Sequence, residues 1–175
     1  MAETVCYEAE GWGVGELWLE DETLLLHELP GPREWAGVHT PHPLAERIRQ
    51  YFAGARDTFA DVALDLVDFT PFQRAVVETL RGVPWGEVVT YGELAALAGY
   101  PNAQRAAGSV CAHNRFPLVV PCHRVVAANG IGRYGASGVE YKRRLLELER
   151  VFLLRRSQRA GSDRARARMR PARAR

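Results

Sequence analysis

The 175-residue chain lacks several features that would place it in a special class of protein. Its three cysteines (Cys6, Cys111 and Cys122) are odd in number and show no metal-type pairing, so a disulfide framework is not expected. No apolar run approaches the length that crosses a bilayer. The N-terminus carries acidic residues where a secretory signal would carry bases and then an apolar stretch. These absences, with 47% hydrophobic and 25% charged residues, predict a cytoplasmic globular protein without a membrane partner.

Positive charge is scarce at the front of the chain and abundant at the back. Residues 1–70 carry four arginines and 14 acidic residues, a net charge of −10. Residues 71–154 carry nine arginines and one lysine against six glutamates, which gives +4. Residues 155–175 carry nine arginines and one aspartate, which gives +8. A polyanionic partner would therefore be expected to bind the second half of the chain. The last segment taken alone is typical of a solvated, disordered extension, because it has low complexity and no aromatic residue.

The first part of the chain, residues 1–68, predicts a small α/β domain. Alternating apolar residues in 13–20 and 23–29, separated by an acidic turn, predict a β-hairpin. Residues 44–54 carry apolar side chains at helical spacing and end in a glycine. Residues 59–69 alternate again and predict a strand or a connector.

The second part, residues 69–154, predicts mainly helices. Thr70 and Thr90 each precede a helical pattern and can cap it, and Asn102 is the expected cap of a third helix. The two short helices on either side of Gly-Tyr-Pro-Asn resemble a helix-turn-helix. Apolar residues at helical spacing in 138–154 predict the last helix.

The helix that follows Asn102 has an unusually bare surface. Its first half is alanine and glycine apart from Gln104 and Arg105. Alanine is the strongest helix former, so this composition can reflect propensity or close helix packing. A bare helix that carries one arginine could equally approach a nucleic-acid groove closely. The residues alone leave both interpretations open.

The stretch LVVPCHRVV, residues 118–126, places three polar or reactive side chains inside a β-branched run that predicts a buried strand. A cysteine there can be an ordinary small core residue. His123 and Arg124 beside it need partners, because burying polar groups costs free energy. A nucleophilic cysteine works as a thiolate and needs a base or a positive environment. Adjacent strand residues point to opposite faces, so a link from Cys122 to His123 would need a bridging water or a local twist.

A histidine that acts as a base also needs an orienting acid. Glu147 and Glu149 are the candidates on the last helix, and Glu149, four residues after Leu145, lies nearer its apolar stripe. A cysteine protease would usually draw its partner residues from distant parts of the chain, and no second metal-type pair supports zinc. The local pattern therefore leaves Cys122 open between a structural and a reactive thiol.

The motif Pro121-Cys122-His123-Arg124-Val125 resembles the active site of the O6-alkylguanine-DNA alkyltransferases, also called methylated-DNA–protein-cysteine methyltransferases. The resemblance extends from about Phe69 to Glu149 and more loosely through the front domain. It implies an α/β N-terminal domain followed by a mainly helical domain with a winged-helix-like helix-turn-helix. It also implies a monomeric, single-turnover DNA-repair enzyme without a cofactor, which takes alkyl groups from O6-alkylguanine and O4-alkylthymine in duplex DNA.

The same resemblance implies roles for individual residues. Cys122 is similar to the acceptor thiol, and His123 and Glu149 to the hydrogen-bonded pair that a water links to it. Tyr91 resembles the tyrosine that turns the target nucleotide out of the duplex and protonates the departing guanine. Arg105 resembles the arginine that fills the gap, on a helix inserted into the minor groove. The remaining residues implied for DNA contact or the base pocket are Gln104, Ala106, Asn114, Val125 and Tyr134.

Two features depart from the family pattern. The usual Tyr-x-Gly-Gly appears here as Tyr134-Gly135-Ala136-Ser137-Gly138, which alters the pocket loop and leaves the range of accepted alkyl groups open. Some family members hold zinc in the front domain through two cysteines and two histidines. Here Cys6 and His27 could serve, but this domain has no second cysteine, so no metal is expected. Cys111 and His113 are interpreted as structural.

Two alternatives belong to other functional classes. The alkyltransferase-like proteins bind damaged DNA without repairing it and replace the reactive cysteine, so Cys122 argues against them. An unrelated thiol hydrolase would turn over and would not depend on Tyr91 or Arg105.

Overall fold

The structure, a computed structural model, describes residues 1–33 and 41–151 and divides into two compact units. Of the described residues, the first unit contains those within Met1–Val67 and Asn114–Val119, and the second contains Asp68–His113 and residues 120–151. The arginine-rich extension expected over 155–175 lies outside the described residues. Within the described ranges, no helix combines the length and the apolar character that a membrane crossing requires.

The first unit is built on an antiparallel sheet in the order β1-β2-β3, formed by Glu3–Ala9, Gly13–Glu20 and Thr23–Gly31. The predicted hairpin is confirmed as β2 and β3. Asp21 and Glu22 in its turn have φ of 47° and 64°, the left-handed conformation that a tight two-residue turn requires. Strand β1 precedes the predicted hairpin and pairs with β2 over its whole length.

One helix, α1 (Pro43–Phe52), packs against β1 and confirms the helix predicted over 44–54. His42 caps it by accepting a hydrogen bond from the backbone N–H of Leu44 (3.2 Å). Of the two alternatives for residues 59–69 the structure shows a connector, in which Leu64 forms a single parallel bridge with Leu24. The core of this unit lies between the sheet and α1.

The segment Asn114–Val119 completes this unit through His27 on β3. The His27 imidazole is bonded at both nitrogens, because Nδ1–H donates to the Pro117 carbonyl and Nε2 accepts from the Tyr7 hydroxyl, both at 2.7 Å. Burial lowers the pKa of His27 to about 4, so the ring is neutral. With both nitrogens engaged, His27 has no lone pair left for a metal ion.

The described part of the second unit contains four α-helices and a two-stranded parallel sheet. The helices are α2 (Pro71–Arg81), α3 (Tyr91–Leu97), α4 (Gln104–Ala112) and α5 (Gly138–Leu148), and the strands are β4 (Val89–Thr90) and β5 (Val125–Val126). The predicted caps Thr70 and Thr90 are confirmed. Each hydroxyl accepts from the backbone N–H three residues on, and the side chain of Gln73 or Glu93 bonds back to the cap.

The prediction that Asn102 caps the third helix is wrong. Helix α4 begins at Gln104 after Ala103, which makes no side-chain capping bond. Asn102 instead has a φ of 69°, a left-handed conformation that asparagine tolerates better than most residues. Asn102 therefore closes the turn between α3 and α4 rather than starting α4.

The strand predicted over 118–126 is also wrong for most of its length. Only Val125 and Val126 pair as a strand, and Cys122–Arg124 form a 3-10 helical turn. Pro121 has no N–H to offer to a sheet, and its carbonyl accepts from the N–H of Arg124 (2.9 Å), which closes the turn.

The helix predicted over 138–154 ends earlier than expected. Helix α5 stops at Leu148, and Arg150 turns the chain with a φ of 61°. The N–H groups of Arg150 and Val151 donate back to the carbonyls of Glu147 and Leu146, which satisfies the last turn. Residues 152–154 lie outside the described ranges.

Candidate active site

Cys122 opens the 3-10 turn that precedes β5 and is 6% exposed. Successive side chains in a 3-10 helix are separated by about 120° rather than by the 180° of a strand. The expectation that Cys122 and His123 point to opposite faces therefore fails along with the strand. Cys122 keeps a narrow opening to solvent, whereas the side chain of His123 is fully buried.

His123 and Glu149 form a buried hydrogen-bonded pair. Nε2 of His123 lies 2.7 Å from Oε1 of Glu149, and neither side chain is accessible to solvent. Glu149 is the first residue beyond α5, so the end of that helix sets the direction of its carboxylate. The structure thus brings together the two residues that the family resemblance pairs.

Arg124 binds the same carboxylate with two parallel hydrogen bonds. Its Nε donates to Oε2 (2.9 Å) and its Nη2 to Oε1 (2.8 Å) of Glu149, while Nη1 donates to the carbonyl of Val83 (2.7 Å). A bidentate arginine–carboxylate pair fixes both the charge and the orientation of the acid. The sequence offered only one hint of this partnership: a buried arginine must find an acceptor.

The charges around Glu149 decide the protonation of the pair. Burial alone would raise the pKa of Glu149, but His123 and Arg124 outweigh it and hold that pKa well below its usual range. Burial lowers the pKa of His123, and Arg124 and Lys142 lower it further against the opposing effect of Glu149. Glu149 is therefore ionised and His123 neutral at pH 7. The Nε2–H of His123 donates to Glu149, which leaves the lone pair of the ring on Nδ1.

Lys142 on α5 is the second functional candidate that the sequence analysis missed. Its side chain is fully buried, and its Nζ donates to the carbonyls of Val125 (2.6 Å) and Arg133 (3.1 Å). Burial lowers the pKa of Lys142 to about 8, against the opposing effect of Cys122 and Cys111. A signal was present, because Lys142 precedes Leu145 and Leu146 by three and four residues and so shares their buried face.

Tyr91, the first residue of α3, is half-buried beside this lysine. Nζ of Lys142 lies 6.0 Å from the centroid of the Tyr91 ring. Burial raises the pKa of Tyr91, and negative charge on Cys111 or Cys122 raises it further. Glycines pack against both edges of the Tyr91 ring. A Cβ added to Gly108 would lie 3.7 Å from Cδ1 of the ring, and a Cβ added to Gly132 would lie 3.5 Å from its hydroxyl oxygen. Tyr91 thus keeps its proton at neutral pH.

The remaining predicted residues are placed as follows. Gln104, Arg105 and Ala106 are exposed in the first turn of α4. Val125 is fully buried, and Tyr134 is 8% exposed and stacks on Tyr141 with ring centroids 6.4 Å apart. Asn114 lies in the segment that packs with the first unit, where its Oδ1 accepts from the N–H of Phe116 (3.0 Å). The role of Asn114 in DNA contact or the base pocket stays a prediction.

Comparison with known proteins identifies the family. The family model described as 6-O-methylguanine DNA methyltransferase, DNA binding domain, matches residues 71–151. A methylated-DNA--protein-cysteine methyltransferase of Methanopyrus kandleri is 42% identical over 120 residues, which are 69% of this chain and 88% of the relative. A relative of the same name from Methanothermobacter thermautotrophicus is 34% identical over 144 residues, 80% of this chain and 81% of the relative.

Solved structures agree with the sequence comparison. The Mycobacterium tuberculosis OGT in complex with DNA matches with a TM-score of 0.67 at 34% identity, over 84% of this chain and 92% of that chain. Its small sheet and helices correspond to those described above. The chain therefore belongs to the O6-methylguanine DNA methyltransferase family.

Proposed function

We propose that this protein repairs DNA as a methylated-DNA–protein-cysteine methyltransferase that transfers the alkyl group of O6-alkylguanine to its own Cys122. Membership of the family supports the activity, and the relatives carry that enzyme's name. The observation that carries the assignment to Cys122 is its position, one residue before a neutral histidine that an ionised, arginine-bound glutamate orients. O4-alkylthymine is the second substrate of the proposal.

The chemistry is an in-line displacement at the alkyl carbon. The Cys122 sulfur attacks with its electron pair, the carbon–O6 bond breaks, and its electrons pass to the departing guanine. The thiol must first lose its proton, because the thiolate is the nucleophile. In this proposal the lone pair on Nδ1 of His123 accepts that proton through a bridging water. The Glu149 carboxylate then stabilises the imidazolium, and a positioned base of this kind typically contributes about 10²–10⁴-fold in rate.

The departing guanine needs a proton, and Tyr91 is the proposed donor. Burial and nearby thiolate charge keep the Tyr91 phenol protonated, as a donor must be. The target base must also leave the duplex, because a thiol that is 6% exposed cannot reach an atom within the base stack. Val125 and Tyr134 line the base pocket in this proposal.

DNA binding is assigned to the second unit. Helices α3 and α4 pack against each other, which supports the predicted helix-turn-helix, and α4 presents Gln104, Arg105 and Ala106 to solvent. We infer that α4 enters the minor groove and that Arg105 fills the space of the extruded base. The α/β domain of residues 1–68, the DNA-binding domain of 69–154 and a monomeric state belong to the same proposal. Backbone contacts should dominate, so binding should weaken as salt rises.

The decisive experiment follows the methyl group. The full-length protein is incubated with an O6-methylguanine duplex, digested with trypsin and analysed by mass spectrometry. We expect one added methyl on residues 116–124, the peptide that carries Cys122, no methyl in Cys122→Ser, and an unchanged result in the control Cys6→Ser. Tight DNA binding with an unmodified Cys122 would indicate a damage-binding protein instead. Multiple turnover with an unmodified thiol would indicate a hydrolase.

A further inference from the structure

Cys111 lies on the face of α4 that packs on Tyr91. Residues three and four apart share a face of a helix, so Cys111 lies above Gly108 and Ala107. A Cβ on Gly108 would lie 3.7 Å from Cδ1 of Tyr91, and Ala107 is fully buried. The thiol of Cys111 is therefore on the Tyr91 side of α4, away from the exposed Arg105 side.

Lys142 lies against the other side of this space, and Cys122 is an electrostatic neighbour of Lys142, Tyr91 and Cys111. Nζ of Lys142 lies 6.0 Å from the Tyr91 ring centroid and donates to the carbonyl of Val125, three residues after Cys122. Burial and, to a smaller extent, a charge on Cys122 raise the pKa of Cys111 to about 12 against the opposing effect of Lys142. Two thiols, a phenol and an ammonium group thus share one neighbourhood.

We propose that Cys111 is a resolving thiol, which forms a disulfide with Cys122 when hydrogen peroxide oxidises the acceptor. In the first step the Cys122 sulfur attacks the peroxide, the O–O bond breaks, and the sulfur loses two electrons to become a sulfenic acid while water leaves. In the second step the Cys111 sulfur attacks that sulfur, the S–S bond forms, and the hydroxyl group leaves as water with the proton of Cys111. A dithiol reductant returns two electrons and two protons and restores both thiols.

Oxidation of Cys122 changes the charges that act on Cys111. Converting a Cys122 thiolate into a neutral sulfenic acid removes a charge that raises the pKa of Cys111 and leaves Lys142, which lowers it. The pKa of Cys111 is therefore lower once its partner is oxidised, although burial, the largest cause of its elevation, remains. Without a resolving thiol, a sulfenic acid can proceed to sulfinic acid, which is generally irreversible. The disulfide itself does not depend on alkyl transfer, and only its consequence, a reversible loss of acceptor capacity, rests on the proposed function.

Trypsin separates the two cysteines, since it cuts after Arg105, Arg115 and Arg124. Full-length protein is treated with hydrogen peroxide, its remaining thiols are alkylated, and the digest is analysed by mass spectrometry. We expect peptide 106–115 cross-linked to peptide 116–124, and loss of that species after dithiothreitol. Sulfinic acid on Cys122 with an unmodified Cys111 thiol would overturn the inference.

The matched variant is Cys111→Ser. Peroxide should drive its Cys122 to sulfinic acid, and dithiothreitol should no longer restore methyl uptake, whereas the wild type and Cys6→Ser should recover most of it. Equal recovery in Cys111→Ser and the wild type would contradict the inference. If the O6-methylguanine duplex leaves Cys122 unmodified while the cross-link still forms, the proposed function fails and the redox pair stands.

Discussion

His27 in the first unit and His123 in the second are 2% and 0% exposed, yet their partners differ in charge. His27 is bonded to a hydroxyl and a peptide carbonyl, both neutral. His123 is bonded to a carboxylate that also holds an arginine. Burial lowers the pKa of both rings. Burial therefore acts on both histidines alike, whereas only His123 has an ionised partner that would stabilise the imidazolium formed in the proposed proton transfer.

The largest effect should come from removing the charge that balances Glu149. In Arg124→Met the buried carboxylate loses its bidentate partner, so the free energy of unfolding should fall by about 3–5 kcal/mol. Urea unfolding monitored through Trp85, the tryptophan of the second unit, measures this loss. The double variant Arg124→Met/Glu149→Gln carries no unbalanced charge and should recover most of the stability, but not the rate of methyl uptake. A loss below about 1 kcal/mol in the single variant would show that Arg124 does not balance Glu149.

Acid should weaken the first unit through His27. The folded pKa is about 4 against an ordinary 6.5, so the unfolded chain takes up a proton first as the pH falls. The contribution of His27 to the free energy of unfolding is fully present above pH 6.5. It declines as the pH falls towards 4, by about 3 kcal/mol in total. Urea unfolding at several pH values, monitored through the fluorescence of Trp12 and Trp18, measures how the free energy of unfolding changes with pH. His27→Gln should unfold with a shallower dependence over this window, and an unchanged slope would exclude His27 as its source.

The smallest effect should come from Tyr7→Phe. This change removes the hydroxyl that donates to Nε2 of His27 and leaves a buried acceptor unsatisfied, at a cost of about 1–2 kcal/mol. Methyl uptake by Cys122 should keep its rate, because Tyr7 belongs to the core of the first unit. A slower uptake at full stability would show that the two histidine environments are not independent.

Patterns that involve only neighbouring residues predicted the secondary structure well. The capping boxes at Thr70 and Thr90 need only residues within the next turn, and the hairpin of β2 and β3 needs only a turn and alternation. The turn at Cys122 was mispredicted because its β-branched neighbours favour a strand, and nothing local shows that only Val125 and Val126 find a partner strand.

The candidate site was visible in the sequence chiefly through the family motif. Periodicity also placed Glu149 beside the apolar stripe of the last helix, and the structure shows its carboxylate on His123. The partners of Arg124 and Lys142 were missed because they are a distant glutamate and backbone carbonyls, which no spacing rule connects to them.

The segment Asn114–Val119, which packs with the first unit, has a consequence for how the chain is made. The carbonyl that accepts the hydrogen bond from His27 belongs to Pro117, 90 residues further along the chain. During synthesis the sheet and α1 emerge well before that carbonyl, so the hydrogen bond from Nδ1 of His27 can form only after Pro117 has left the ribosome. The first unit therefore becomes complete only when the chain just ahead of Cys122 has been made.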